Sequence, residues 1–102
     1  MIGFIKKIFG PGTDFASLVK NGALIIDVRS EGEYRSGHIK GSLNIPVDQI
    51  AAQAEKLKKQ NKVIITCCKS GMRSGMASST LKAKGLEVYN GGPWNVLQHK
   101  IS

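Results

Sequence analysis

The sequence has little of what several common classes of protein require. Its two cysteines are adjacent, at Cys67 and Cys68, so they cannot close a loop of useful length, and a disulfide-stapled domain is excluded. Its two histidines, His38 and His99, are far from the cysteines along the chain, and no metal-ligand spacing is present. The few aromatic residues are not interleaved with the basic ones, so no nucleic acid is expected as a partner.

Long apolar runs are missing as well. In Met1–Gly10, Lys6 and Lys7 soon interrupt the apolar residues, so this segment is too short to cross a bilayer and does not resemble a signal peptide. We therefore expect no stable membrane insertion and a cytoplasmic protein with reduced thiols. Gly10-Pro11-Gly12 is a chain breaker, which predicts an N-terminal extension over residues 1–12 and a single domain over residues 13–102.

The charge of the chain is strongly basic. Its 102 residues include 15 basic and 7 acidic side chains, which gives a net charge of +8. This excess favours small anions or acidic proteins as partners. A monomer is expected.

Short apolar runs alternate with helical patterns along the chain. Strands are predicted over residues 23–28, 42–45, 63–66 and 86–89, and helices after Asp14, over 31–36, over 47–59, over 75–84 and after Pro93. In the fourth helix, one packed face is expected to hold Ser74, Met76, Ala77, Thr80, Leu81 and Ala83. The alternation predicts an α/β fold, a small open parallel sheet of four to five strands with helices on both faces.

The loop that follows the strand at 63–66 carries the chemistry. Cys68 lies between this strand and the next helix, where open α/β folds bind their ligands. A helix dipole contributes about 0.3–1 kcal/mol, which is too little to ionise a thiol at neutral pH. Hydrogen bonds from inward-facing amides of the loop Lys69–Arg73, about 1.5–3 kcal/mol each to a charged acceptor, would suffice. The sequence therefore predicts a Cys68 thiolate inside an anion-binding loop.

Three motifs resemble those of one known family. Cys68-Lys69-Ser70-Gly71-Met72-Arg73-Ser74 resembles the active-site loop of the rhodanese (thiosulfate sulfurtransferase) family. The segment 26–46 resembles its other signature through Asp27-Val28-Arg29, Gly37-His38-Ile39 and Asn44-Ile45-Pro46. Gly91-Gly92-Pro93-Trp94 resembles its closing region. The three motifs stand in the family's order and cover roughly residues 14–97.

The resemblance implies a rhodanese-like fold and a residue-by-residue site. Cys68 would be catalytic, Arg29 would be a possible secondary contact of the loop, and His38 would be structural. The substrate-binding residues would be Lys69, Ser70, Gly71, Met72 and Arg73. The thiolate would take the outer sulfur of thiosulfate or a related small anionic donor, and the Cys68 persulfide would pass it to cyanide, a thiol or a protein acceptor. This chemistry needs no metal and no organic cofactor.

Other interpretations stay open at this point. Counted from Cys67, the arginine follows at the spacing of cysteine phosphatases, which would suit a wider loop and phosphatase or arsenate-reductase chemistry with a general acid. Cys67 continues the apolar run and is expected to point into the packing, although a redox role is conceivable. The third alternative is a non-catalytic rhodanese-fold binding module, and a persulfide carrier lies between the module and the enzyme.

Overall fold

The computed structural model describes residues 12–102, in which five α-helices and four strands alternate. The helices are α1 (Phe15–Lys20), α2 (Glu31–Ser36), α3 (Ile50–Lys59), α4 (Met72–Ala83) and α5 (Trp94–Ile101). The strands are β1 (Leu24–Asp27), β2 (Leu43–Asn44), β3 (Ile64–Cys68) and β4 (Val88–Pro93), and a 3-10 turn, Val47–Gln49, leads into α3. Met1–Gly10 lies outside the described residues, and the boundary of the N-terminal extension stays a prediction.

The strands form one parallel sheet in the order β2-β1-β3-β4. The predicted α/β fold is confirmed, with four strands in the described part of the chain. The two apolar runs that predicted central strands form β1 and β3, the two inner strands. None of the helices within residues 12–102 is long and apolar enough to cross a membrane.

Helices cover both faces of the sheet, as expected from the alternation. On one face, Ile26, Ile64 and Cys68 pack with side chains of α3 and α4. On the other face, Ile25, Ile65 and Cys67 pack with Phe15 of α1 and Leu97 of α5. Because successive side chains of a strand point to opposite faces, the adjacent cysteines enter different clusters.

Local capping explains where the short helices begin. The Asp14 carboxylate accepts a hydrogen bond from the Ser17 amide at the start of α1. Ser30 and Glu33 form a capping box at the start of α2, in which each side chain accepts from the other residue's amide. The last turn of α3 contains Lys56, Lys58 and Lys59, whose positive charges interact favourably with the negative end of the helix dipole.

Several predicted bounds differ from those observed. β3 runs through both cysteines, α4 already begins at Met72, and β4 starts at Val88 and continues to Pro93 instead of ending before the glycine pair. β4 has one more residue than β3 between the pairs Thr66–Asn90 and Cys68–Pro93, which is a β-bulge. The bulge keeps the glycine pair inside the strand.

The expected packed face of the fourth helix is also corrected. Ser74, Ala77 and Leu81 are buried as predicted, but Met76 is 63% exposed and Ala83 is exposed. Ser78, which was not in the predicted set, is buried instead. The predicted set mixed two faces of the helix, since Met76 and Ala83 lie on the side of Met72, away from Leu81.

Candidate active site

Cys68 is the last residue of β3, and the loop from Lys69 to Gly71 curls back over its sulfur. Gly71 has a φ of +100°, a left-handed conformation that favours glycine. In this conformation the Gly71 amide donates to Cys68 Sγ at 2.9 Å. Gly71 also caps α4, so the helix begins directly beside the sulfur.

Several donors surround the Cys68 sulfur. The Ser74 amide, in the first turn of α4, donates to Sγ at 3.4 Å, and the Ser74 hydroxyl oxygen lies 3.3 Å from Sγ. Burial of Cys68 by itself raises the pKa of the thiol, but the Ser74 hydroxyl and the amides of Ser74, Gly71 and Ser70 outweigh it. The pKa of Cys68 is therefore lowered from its ordinary value, because these donors stabilise the thiolate.

Asn90 of β4 connects the helix start to the neighbouring strand. Its Oδ1 accepts from the Ser74 hydroxyl at 2.7 Å and from the Gly92 amide at 2.9 Å, while its Nδ2 donates to the Gly71 carbonyl at 3.3 Å. The same side chain thus orients Ser74, the loop and the bulge of β4. Asn90 was not among the site residues predicted from the sequence. Its position at the carboxyl end of a strand beside β3 was the signal available.

Arg73 does not point into solvent as a free charge. Its Nη1 and Nη2 donate to the two carboxylate oxygens of Glu33 at 2.7 and 3.0 Å, which is a bidentate pair. Arg73 and the Ser30 amide lower the pKa of Glu33 to about 2. The sequence pattern Ser30-x-x-Glu33 indicated the capping box, but nothing local indicated the pairing with Arg73 across forty residues.

Arg29 is held at the end of β1. It donates to both carboxylate oxygens of the buried Asp27, at 2.9 and 2.7 Å, and to the Gly37 carbonyl at 2.6 Å. Its guanidinium lies 4.9 Å from the centroid of the Trp94 ring. These contacts tie β1 to the end of α2 and the start of α5. The approach of Arg29 to the catalytic loop stays a prediction.

Cys67 and Cys68 are both 0% exposed, but their surroundings differ. Cys67 packs beside Phe15, Tyr89 and Leu97 on the other face of the sheet. Burial, with the nearby Asp27 carboxylate, raises the pKa of Cys67 to about 12. A thiol in this position stays protonated at neutral pH.

The remaining predicted site residues line the outside of the loop. Lys69 and Ser70 are exposed, and Met72 is 76% exposed. His38 has a structural contact, since its Nδ1 lies 2.7 Å from the Tyr34 carbonyl and its ring stacks on Tyr34. The loop therefore offers amides toward the sulfur and a cation, Lys69, toward solvent. Such an arrangement stabilises a negative charge at or just beyond Sγ.

Comparison with known proteins identifies the family to which the chain is similar. The profile of the Rhodanese-like domain family matches residues 13–93. The chain is 38% identical over 69 residues to the uncharacterized protein YqhL of Bacillus subtilis, which covers 67% of this chain and 54% of YqhL. It is also 38% identical over 63 residues to the putative sulfur carrier protein YrkF of Bacillus subtilis, covering 62% of this chain and 34% of YrkF.

Among solved structures, a rhodanese with anions from E. coli superimposes with a TM-score of 0.66 and 29% identity. The match covers 72% of this chain and 89% of the E. coli protein. The chain thus spans about half of YqhL and a third of YrkF, but nearly all of the E. coli rhodanese.

Proposed function

Because the chain belongs to the family of rhodanese-like domains, we propose that it is a sulfurtransferase that carries sulfane sulfur as a persulfide on Cys68. The main support is the set of donors around Sγ, with the Gly71 amide at 2.9 Å and the Ser74 amide at 3.4 Å. These donors lower the pKa of Cys68, so they increase the share of the nucleophilic thiolate at a given pH. The name of YrkF, a putative sulfur carrier, agrees with this chemistry.

The first half-reaction loads the sulfur. The thiolate of Cys68 attacks the outer sulfur of thiosulfate, the bond between the two sulfur atoms of thiosulfate breaks, and sulfite leaves with the electron pair. The product is a Cys68 persulfide whose terminal sulfur carries the negative charge. The amides of Met72 and Arg73 are the first two of α4, which have no acceptor inside the helix, so they suit this terminal anion.

The second half-reaction unloads the sulfur. A nucleophile, which is cyanide or a thiolate, attacks the terminal sulfur, and Cys68 leaves as the thiolate that the same donors stabilise.

Two charged residues near the loop assist the reaction. Lys69, exposed beside the loop, raises the local concentration of the anionic sulfur donor used in loading. Arg73, paired with Glu33, fixes the start of α4 against α2 and adds positive field at the sulfur.

The alternatives have less support. Phosphatase or arsenate-reductase chemistry in the longer register would need a Cys67 thiolate, but the surroundings of Cys67, with the nearby Asp27 carboxylate, raise its pKa to about 12. A non-catalytic binding module does not require donors arranged around a cysteine sulfur.

Both thiols are free, which suits a reducing compartment, and we propose the cytoplasm as the location of the protein. The curated relatives are longer than this chain, so their names do not identify its sulfur donor and acceptor. The donor and the acceptor named above are therefore proposed for this chain.

Mass spectrometry of the protein after incubation with thiosulfate tests this function. We expect the protein to gain the mass of one sulfur atom and to lose it to cyanide as thiocyanate. The Cys68→Ser variant should gain nothing, whereas Cys67→Ser, the matched control, should load like the wild type. Loading that depends on Cys67, or hydrolysis of an aryl phosphate without any sulfur uptake, would overturn the proposal. An intact thiol that ignores both substrates would indicate the binding module.

A further inference from the structure

One side of α4 exposes apolar side chains to solvent. Met72 and Met76 are 76% and 63% exposed, more than any other large apolar side chain within residues 12–102. They are one helical turn apart, and the exposed Ser79 and Ala83 continue the same line along the helix. We call this line of Met72, Met76, Ser79 and Ala83 the methionine face.

The methionine face carries no charge, in a protein whose surface is rich in lysine. The exposed side of α3, by comparison, carries Glu55, Lys56, Lys58 and Lys59. Around α4 the exposed cations stand at the two ends of the face, with Lys69 before Met72 and Lys82 near Ala83. An uncharged apolar strip between cations is the pattern of an interface centre with a basic rim.

The face begins directly after the loop that holds the sulfur. Met72 directly follows Gly71, whose amide donates to Cys68 Sγ at 2.9 Å. A partner that covers Met72 and Met76 therefore lies next to this loop. This position links the face to the sulfur chemistry and not to the packing of the domain, whose apolar contacts with α4 are made by Ala77 and Leu81.

We propose that the methionine face docks a protein that accepts the sulfur, and that this acceptor presents a cysteine beside an apolar side chain and carboxylates. The flexible methionine side chains adapt to the apolar group. The carboxylates complement Lys69, Lys82 and the net charge of +8. This inference rests on the proposed function only for the transfer of sulfur, because docking itself does not need the persulfide.

In the docked pair the transfer balances without any further reactant. The thiolate of the acceptor attacks the terminal sulfur of the Cys68 persulfide, and a new sulfur–sulfur bond forms on the acceptor. The bond between Sγ and the terminal sulfur breaks, and its electron pair stays on Sγ. The acceptor leaves as a persulfide, and Cys68 is again a thiolate held by Gly71 and Ser74.

Two synthetic peptides of equal length serve as probes. In one, a cysteine is flanked by leucine and glutamate, and in the other by serine and lysine. The protein is loaded with thiosulfate, freed of the donor and mixed with each peptide or with cyanide, and the loss of persulfide is followed in a single turnover. We expect faster transfer to the acidic, leucine-containing peptide than to the basic one.

Substitutions of Met76 then locate the docking site. Met76→Gln should slow transfer to the acidic peptide by about tenfold, the effect of losing an apolar anchor, and Met76→Leu should preserve the rate. Ser79→Glu should slow the same transfer by repulsion, and Ser79→Lys should not. Transfer to cyanide should be equal in all four variants. An unchanged rate to the acidic peptide in Met76→Gln would overturn the proposal.

Binding without chemistry separates this inference from the proposed function. The acidic peptide with serine in place of cysteine should bind the unloaded protein, with weaker binding to Met76→Gln in a calorimetric titration. If the protein takes up no sulfur but this difference persists, the proposed function fails and the docking face stands. Self-association of the protein that is lost in Met76→Gln, without any effect on the peptide, would assign the face to a second copy and overturn the proposal.

Discussion

Ser74 has one hydroxyl proton and three acceptors within reach of it. Its oxygen lies 2.7 Å from Asn90 Oδ1, 3.1 Å from the Gly71 carbonyl oxygen and 3.3 Å from Cys68 Sγ. While Cys68 is a thiolate, the charge on Sγ attracts the proton. Once Sγ carries a second sulfur it is neutral, and Asn90 becomes the better acceptor. The Ser74 hydroxyl therefore donates to Sγ mainly while Cys68 is a thiolate. This is the form that acts as the nucleophile during loading and as the leaving group during unloading.

Removal of this hydroxyl should make the thiol less acidic. In Ser74→Ala the thiolate loses its side-chain donor, so the pKa of Cys68 should rise, and alkylation by iodoacetamide at neutral pH should slow by about tenfold, as expected for one hydrogen bond to a charged group. The rate at high pH, where the thiol is ionised anyway, should match that of the wild type. Ser78→Ala, a buried serine of the same helix, is the control and should keep the wild-type profile.

A second variant tests the proton itself. Asn90→Asp keeps the shape of the side chain but places a carboxylate 2.7 Å from the Ser74 oxygen, where it binds the proton more strongly than an amide oxygen does. Alkylation of Cys68 at neutral pH should slow, and the effect should shrink when Ser74 is already alanine. Asn95→Asp, on the exposed side of α5, is the matched control. Unchanged alkylation in both Ser74→Ala and Asn90→Asp would contradict this account of the hydroxyl.

Among the elements, β4 depends on a glycine where it bulges beside β3. A Cβ atom at Gly91 would lie 2.8 Å from the Thr66 carbonyl oxygen and 2.8 Å from Leu97 Cδ2. Gly91→Ala should therefore lower the free energy of unfolding by about 1–3 kcal/mol through overpacking, as measured by urea denaturation. It should also disturb Asn90, the neighbouring residue, and with it the loop.

The control for this substitution lies in a helix. Gly32, inside α2, has open space where a Cβ atom would lie, and its φ is outside the left-handed region. Gly32→Ala should raise the free energy of unfolding by about 0.5–1 kcal/mol, because alanine favours the helix. Equal effects of the two substitutions would show that the close approach at Gly91 does not decide the result.

The elements also show how far local patterns reach. The β-branched run at Val63–Thr66 predicted an inner strand correctly, because burial on both faces requires an unbroken apolar run. The fourth strand was predicted to end at Tyr89, because a glycine pair is typical of a loop. No local pattern indicates the bulge that keeps Gly91 and Gly92 in β4. Met76 was expected in the core because spacing alone does not tell which apolar face of α4 the sheet covers.

At the scale of the whole molecule, contacts distant in the sequence complete the candidate site. The donors from Gly71 and Ser74 to Cys68 lie within six residues of the sulfur. The Gly71 amide is in the range Lys69–Arg73 that was predicted to face the sulfur, and the Ser74 amide lies one residue beyond it. Glu33 and Asn90 reach the same place from α2 and β4. No local pattern encodes such meetings, because they depend on how the sheet brings its strand ends together. The sequence predicted Arg73 as a substrate-binding residue of the loop, but not its pairing with Glu33.

The pair of Glu33 and Arg73 joins α2 to α4, and its contribution should depend on pH in a definite direction. The pKa of Glu33 is about 2 in the folded protein against an ordinary 4.5, so the pair stabilises the fold above about pH 4.5 and loses this contribution as the pH falls toward 2. Both side chains are about one-third exposed, and screening by water limits the gain to about 1 kcal/mol.

Glu33→Gln should therefore be less stable than the wild type at neutral pH, and the difference should shrink when urea unfolding is repeated near pH 3. Glu31→Gln is the matched control, because the Glu31–Arg35 pair is 4.0 Å long and largely exposed, so its loss should change little at any pH. A stability difference for Glu33→Gln that is the same at both pH values would contradict the ionised carboxylate of Glu33 as the source of the stabilisation.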